Sequence, residues 1–132
     1  MSDAKCARML VEAAERDIEA LRVMRRLDGI PDEIYGFHVQ QAAEKLLKAG
    51  IALLGGMYPL THNIEALLEL FAERDGDTEP FGDLAAFTPY AVEFRYVGVG
   101  PDDGPIDRAT ALEMVEGLLE QVRQQLLEGE GA

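Results

Sequence analysis

Four side chains able to engage a phosphate recur along one helical strip: His38, Gln41, Lys45 and Lys48 stand at i, i+3, i+7 and i+10, spacings that share one face of an α-helix. Lysine supplies a mobile point charge, glutamine an amide that both donates and accepts, and imidazole a proton that moves near neutral pH. Such a strip suits a phosphate or a nucleotide. The alternative for the same residues is a solvated polar face with a pair between Glu44 and Lys48 at i, i+4, worth about 0.2–0.5 kcal/mol.

Other residue types that could carry chemistry are poorly placed for it. His38 and His62, the only two histidines, are 24 positions apart and neither belongs to an HExxH pattern, so no metal or cofactor is expected. His62, just after Thr61, reads as a helix-start residue. Cys6 has no evident partner and reads as an inert thiol. Gly98-Val99-Gly100 follows no strand pattern and precedes no Gly-Lys-Ser/Thr, while Asp102 and Asp103 would repel phosphate there. The acidic neighbours Asp32 and Glu33, like Asp102 and Asp103, fall in caps or loops and do not form an acid/base dyad.

The elements that must position the strip follow from apolar spacing. Leu10, Ala14, Ile18, Leu21, Met24 and Leu27 recur every three or four residues and predict a first helix over 3–28. Gly29 suits a left-handed cap, and Pro31 with Asp32 and Glu33 suits the first turn of a second helix reaching about 54. In that helix a rotation of roughly 100° per residue puts Tyr35, Val39, Ala42, Ala43, Leu46, Leu47, Ala49 and Leu53 on an apolar arc. Gln40, Gln41, Glu44, Lys45, Lys48 and His38 take the other side.

Gly55-Gly56 ends this helix. Thr61 is the expected N-cap of a third, with Ile64, Leu67, Leu68 and Phe71 on its apolar face and Gly76 at its close. Pro80 opens a brief helix through Phe87, and Thr88-Pro89 offers a fresh N-cap and first turn into 90–96, so the fourth helix should be kinked or broken. The Gly- and Pro-rich stretch 97–106 reads as a mobile loop. Asp107 then caps a last helix with a bundle seam at Leu112, Val115, Leu119, Val122 and Leu126. No strand alternation competes, so the fold class is all-α, an up-and-down bundle of four to five helices.

Composition bounds the setting. A chain of 132 residues is one domain, 1–132, with its core over about 4–127 and a short flexible C-terminus, and 48% apolar residues are enough for a core. Twelve basic against 25 acidic side chains give a net charge of -13, which argues against broad, electrostatically driven binding to DNA or RNA. A lone cysteine, no secretory pattern and no apolar run of membrane length make a reducing, cytoplasmic setting the expectation.

Three segments in order, FHVQQAAEKLLKA at 37–49, YPLTHNIEALLEL at 58–70 and TPYAVEFRY at 88–96, resemble the HEPN family, the helical domains named for higher eukaryotes and prokaryotes nucleotide-binding. The resemblance covers roughly 5–125. It implies a four- or five-helix bundle, often a homodimer, commonly with a minimal nucleotidyltransferase as partner in a toxin–antitoxin-like system.

Many members of that family are metal-independent ribonucleases that use Arg followed four to six positions later by His. Arg95 occupies the arginine region, but positions 99–101 are Val, Gly and Pro, and both histidines precede it. General acid/base cleavage therefore lacks its evident proton-transfer group, a contribution of typically about 10²–10⁴-fold. The resemblance thus implies a binding or partner module for a nucleotide or a nucleotidyltransferase. Its cleft would join His38, Gln41, Lys45 and Lys48 to Tyr90 and Arg95, where arginine can fork onto phosphate and tyrosine can stack. The alternatives are a divergent ribonuclease, with His38 brought beside Arg95 on an RNA phosphate, and a structural scaffold.

Overall fold

Three- and four-residue apolar spacings become helices in the computed structural model, which describes residues 3–91 and 105–131. The order is α1 (Asp3–Met24), α2 (Asp32–Leu53), α3 (Ile64–Glu73), a 3-10 helix (Glu79–Ala91) and α4 (Arg108–Gly131). There is no strand among the described residues, and the expected all-α bundle is what forms. Its core joins Ile18 and Leu21 of α1 to Tyr35, Val39, Leu46 and Leu47 of α2, Phe71 of α3, Leu84 of the 3-10 helix and Val115 and Val122 of α4. No helix among the described residues is long and apolar enough to cross a membrane.

The ends of the helices differ from expectation where a competing hydrogen bond wins. α1 stops at Met24 rather than 28, because Arg26 and Leu27 donate to carbonyls only three residues back. Leu27 therefore leaves the apolar stripe and is exposed. Gly29 still takes a left-handed φ of 86°, but inside the corner rather than as the direct cap. Pro31 precedes α2 as its N-cap instead of occupying the first turn. Gly55, at φ 83°, and Gly56 close α2 by donating to Ala52 and Ile51, the paired bonds of a Schellman motif.

α3 begins two residues later than Thr61 predicts. Asn63 is the N-cap, its side chain accepting from the Ala66 amide at 3.1 Å, while the Thr61 hydroxyl accepts from the Asn63 amide. Asp75 takes the left-handed position at the other end, with φ 68°, and Gly76 donates to Phe71. Gly76 is needed there for space, since a Cβ would lie 2.5 Å from the Phe71 ring.

The irregular fourth element is a 3-10 helix carrying Pro89 inside it. Thr88 does not cap a new helix at this point, because its Oγ1 accepts from the Ile64 amide at 3.0 Å and so helps to start α3 instead. The expectations for Arg95, for a helix over 92–96 and for most of the 97–106 loop lie outside the described residues.

A half-buried corner fixes how α2 meets α4. The Arg108 guanidinium donates to Asp32 Oδ1 at 3.0 Å and to the Ile30 carbonyl, lies 5.0 Å from the Tyr35 ring centre, and has its own carbonyl held by the Tyr35 hydroxyl at 3.0 Å. Along α1 and α4, Arg22 meets Glu116 and Glu15 meets Arg123. Residue numbers that rise on one helix as they fall on the other make these two antiparallel.

Candidate functional site: two buried carboxylates beside one helix edge

On α2 the 100° rotation per residue orders the polar side chains as Gln40, Glu44, Lys48, Gln41, Lys45 and His38 across somewhat less than half a turn. Two carboxylates organise that arc. Asp17, from α1, receives the His38 ring nitrogen Nδ1 on Oδ1 at 3.0 Å and Lys45 Nζ on Oδ2 at 2.6 Å. Glu44, from α2 itself, accepts from Gln40 Nε2 at 2.9 Å and Lys48 Nζ at 2.9 Å, and meets His62 Nδ1 at 2.8 Å. Both carboxylates are buried, and their side chains retain only 11% exposure.

A buried charge without partners is costly, so each acid needs the cation and donors it has. Burial pushes the Asp17 carboxyl up, but hydrogen bonds from His38 and Lys45 outweigh it and hold the group below its ordinary value. Burial opposes ionisation of Glu44 in the same way, and Gln40, Lys48 and His62 together bring it below its ordinary value. Both acids are therefore anionic across the neutral range.

Two of the four strip residues converge on Asp17 and two belong to the other network. His38 and Lys45 share that acid while keeping 29% and 27% side-chain exposure. Gln41 donates to Gln40 Oε1 at 2.7 Å, and Gln40, fully buried, also reaches the His62 carbonyl at 3.1 Å. Lys48 is buried, paired with Glu44 and 5.6 Å from the Tyr58 ring centre. The pair between Glu44 and Lys48, the bland alternative in the sequence, is thus present as an interior contact rather than a solvated one.

Tyr90 stands apart from the His38 strip. Its buried ring closes on α2 at Gly36, where a Cβ would lie 2.5 Å from it, and packs 5.7 Å from the Phe87 ring. Gly36 and His38 are roughly 200° apart around the helix. Among the described residues Tyr90 and His38 are therefore on opposite sides of α2.

Sequence reasoning missed Asp17, Gln40 and the role of His62. Asp17 did leave a signal, since it lies on the α1 face defined by Ala14, Ile18 and Leu21, where an acid needs a partner. His62 is not the first residue of a helix; its ring is an outer ligand of Glu44, 63% exposed, ahead of the Asn63 cap. Among the described residues no group of three His, Cys, Asp or Glu side chains is arranged to hold a metal.

No match is found among curated proteins or among solved structures. A family model, the HEPN domain, matches residues 7–125 and takes in every element from α1 to most of α4, so the chain belongs to the HEPN family, whose members are nucleotide-binding or ribonuclease-like helical modules.

Proposed function

We propose that this HEPN domain is a non-catalytic binding module that works as a homodimer and engages a nucleotide through the outer edge of α2, in a toxin–antitoxin-like pairing with a minimal nucleotidyltransferase. The observation that carries the nucleotide reading is the convergence of His38 and Lys45 on Asp17. Two donors of phosphate-binding type are held side by side, each about a quarter exposed, by one buried acid. Gln41 lies beside Lys45 on the helix face and can add an amide contact. Arg95 belongs to the proposed site as its forked phosphate donor, whereas Tyr90, buried against Gly36 on the opposite side of α2, does not.

Titration of the purified protein with AMP, ADP, ATP and the guanosine equivalents tests the reading. Binding should weaken about tenfold or more in Lys45→Ala, the loss of a charge-assisted contact, and also weaken in Arg95→Ala. Binding indifferent to both substitutions would exclude this edge. Light scattering tests the dimer, and co-purification with a nucleotidyltransferase encoded beside it tests the partner.

One observation favours a second reading, a divergent ribonuclease. An imidazole held through Nδ1 by a buried carboxylate is oriented as a general base requires, and His38 has that support. RNA cleavage that disappears in His38→Ala would establish it, whereas cleavage absent from the intact protein, or unchanged in that variant, would remove it.

A further inference from the structure

We propose that Asp17 is the positioning residue of the α2 edge: it fixes His38 in the Nδ1–H form and, by sharing Lys45, makes the edge a site for one phosphoryl group taken up together with one proton. The inference rests on the reading of this edge as a nucleotide site, and adds the ligand's charge class and its coupling to pH.

An ionised carboxylate only accepts hydrogen bonds, so the ring nitrogen 3.0 Å from Asp17 Oδ1 must carry a proton whether the imidazole is neutral or charged. The remaining nitrogen, Nε2, has no hydrogen-bond partner among the described residues. When the ring is neutral, Nε2 can only accept. Phosphate oxygens also only accept, so a phosphate can bond to Nε2 only after the ring has gained its second proton. Asp17 thereby makes anion uptake and protonation of His38 a single event.

The charges set the ligand class. Asp17 and Lys45 cancel, and a neutral His38 leaves the unit at zero; protonation raises it to one positive charge. Among the described residues the groups facing His38 are Asp17 from α1, Lys45 from its own helix and the Phe37 ring, 5.4 Å away between centres. The next cation along α2, Lys48, is already matched by Glu44. In a chain with net charge -13, one singly charged phosphodiester or phosphate ester is compensated here, whereas the further charges of a triphosphate have no counterpart beside two buried acids.

The chain has two histidines, so His62→Gln leaves His38 as the sole imidazole in a ¹⁵N spectrum. At about pH 8, where an imidazole is mostly neutral, its nitrogen shifts should report the Nδ1–H form. Asp17→Ala should shift the ring towards Nε2–H, and Asp17→Glu should restore it. An Nε2–H ring in the protein with Asp17 intact overturns the assignment without any Asp17 variant having to fold.

The binding probe is the thymidine dinucleotide, whose diester keeps one negative charge throughout. Its dissociation constant should fall about fivefold or more on going from pH 8 to pH 5.5. Most of that dependence should vanish in Asp17→Ala, and ATP should bind no more tightly than the dinucleotide. Binding that needs Lys45 but ignores pH overturns the inference and leaves the nucleotide site standing. No binding of any nucleotide at any pH sinks the nucleotide site itself, and with it the phosphate half of the inference.

Discussion

The Asp17 and Glu44 clusters use nearly the same parts, a buried carboxylate with one lysine and one histidine Nδ1, yet they differ in where the parts come from. Glu44 draws Gln40 and Lys48 from one turn either side on its own helix, and only His62 from beyond it. Asp17 draws both partners from another helix, 21 and 28 positions away. The first cluster is a helix-face pattern closed over by a loop and buried. The second is a tertiary clamp between α1 and α2 whose His38 and Lys45 stay partly in water. A contact built from α2 alone can stiffen α2, whereas one spanning two helices sets the direction of a side chain relative to the fold, as a binding residue requires.

The largest test of that contrast is removal of each acid. Glu44→Ala strands the buried Lys48 and takes one of two acceptors from the fully buried Gln40 amide, and loss of one partner of a buried ion pair costs about 3–5 kcal/mol. Asp17→Ala strands His38 and Lys45, which can turn towards water, so the cost should be nearer the about 1–3 kcal/mol of an unsatisfied polar group. Urea unfolding of the two variants gives the comparison directly. Equal losses would mean that His38 and Lys45 are as confined as Lys48 and that Asp17 has no special outward function.

These clusters also show what a single sequence can convey. The pair between Glu44 and Lys48 was legible because both partners lie on one helix at i, i+4. The clamp was not, since nothing local says which α2 residues will meet position 17; only the presence of an acid between Ala14 and Ile18 hinted at it. The bundle and most core positions were readable because apolar periodicity depends on neighbours in sequence. Helix starts were less so: Thr61 and Thr88 both have the right hydroxyl, but one serves the Asn63 amide and the other reaches across to Ile64. Tertiary competition for a donor decides such cases.

Acid should separate the clusters from the rest of the fold. Asp17 and Glu44 are held below ordinary values of 3.8 and 4.5, so the unfolded chain takes up their protons first. Their stabilisation is therefore complete above those unfolded values and is lost as pH falls through the lower folded ones. Asp107, lowered by the Thr110 amide and hydroxyl, contributes in the same sense. The melting temperature should hold between about pH 7 and pH 5 and drop steadily below about pH 4. Glu44→Gln and Asp17→Asn should each flatten that drop, and an unchanged acid limb in both would assign it to other carboxylates.

The smallest effects come from the two histidines, and their order is the finest check on the contrast. His62 is 63% exposed and Glu44 keeps Gln40 and Lys48 without it, so His62→Ala should change stability by about 0–1 kcal/mol, the range of an exposed pair. His38 is 29% exposed and is one of two partners of Asp17 among the described residues. His38→Ala leaves that buried acid with Lys45 alone and should cost somewhat more, about 1–1.5 kcal/mol, as for a hydrogen bond to a charged group. Thermal melts at pH 7 are enough to rank them. If His62→Ala proves the costlier, its ring is holding the loop between α2 and α3 against Glu44 rather than decorating an already satisfied acid, and the Glu44 cluster would then be a tertiary clamp like that of Asp17.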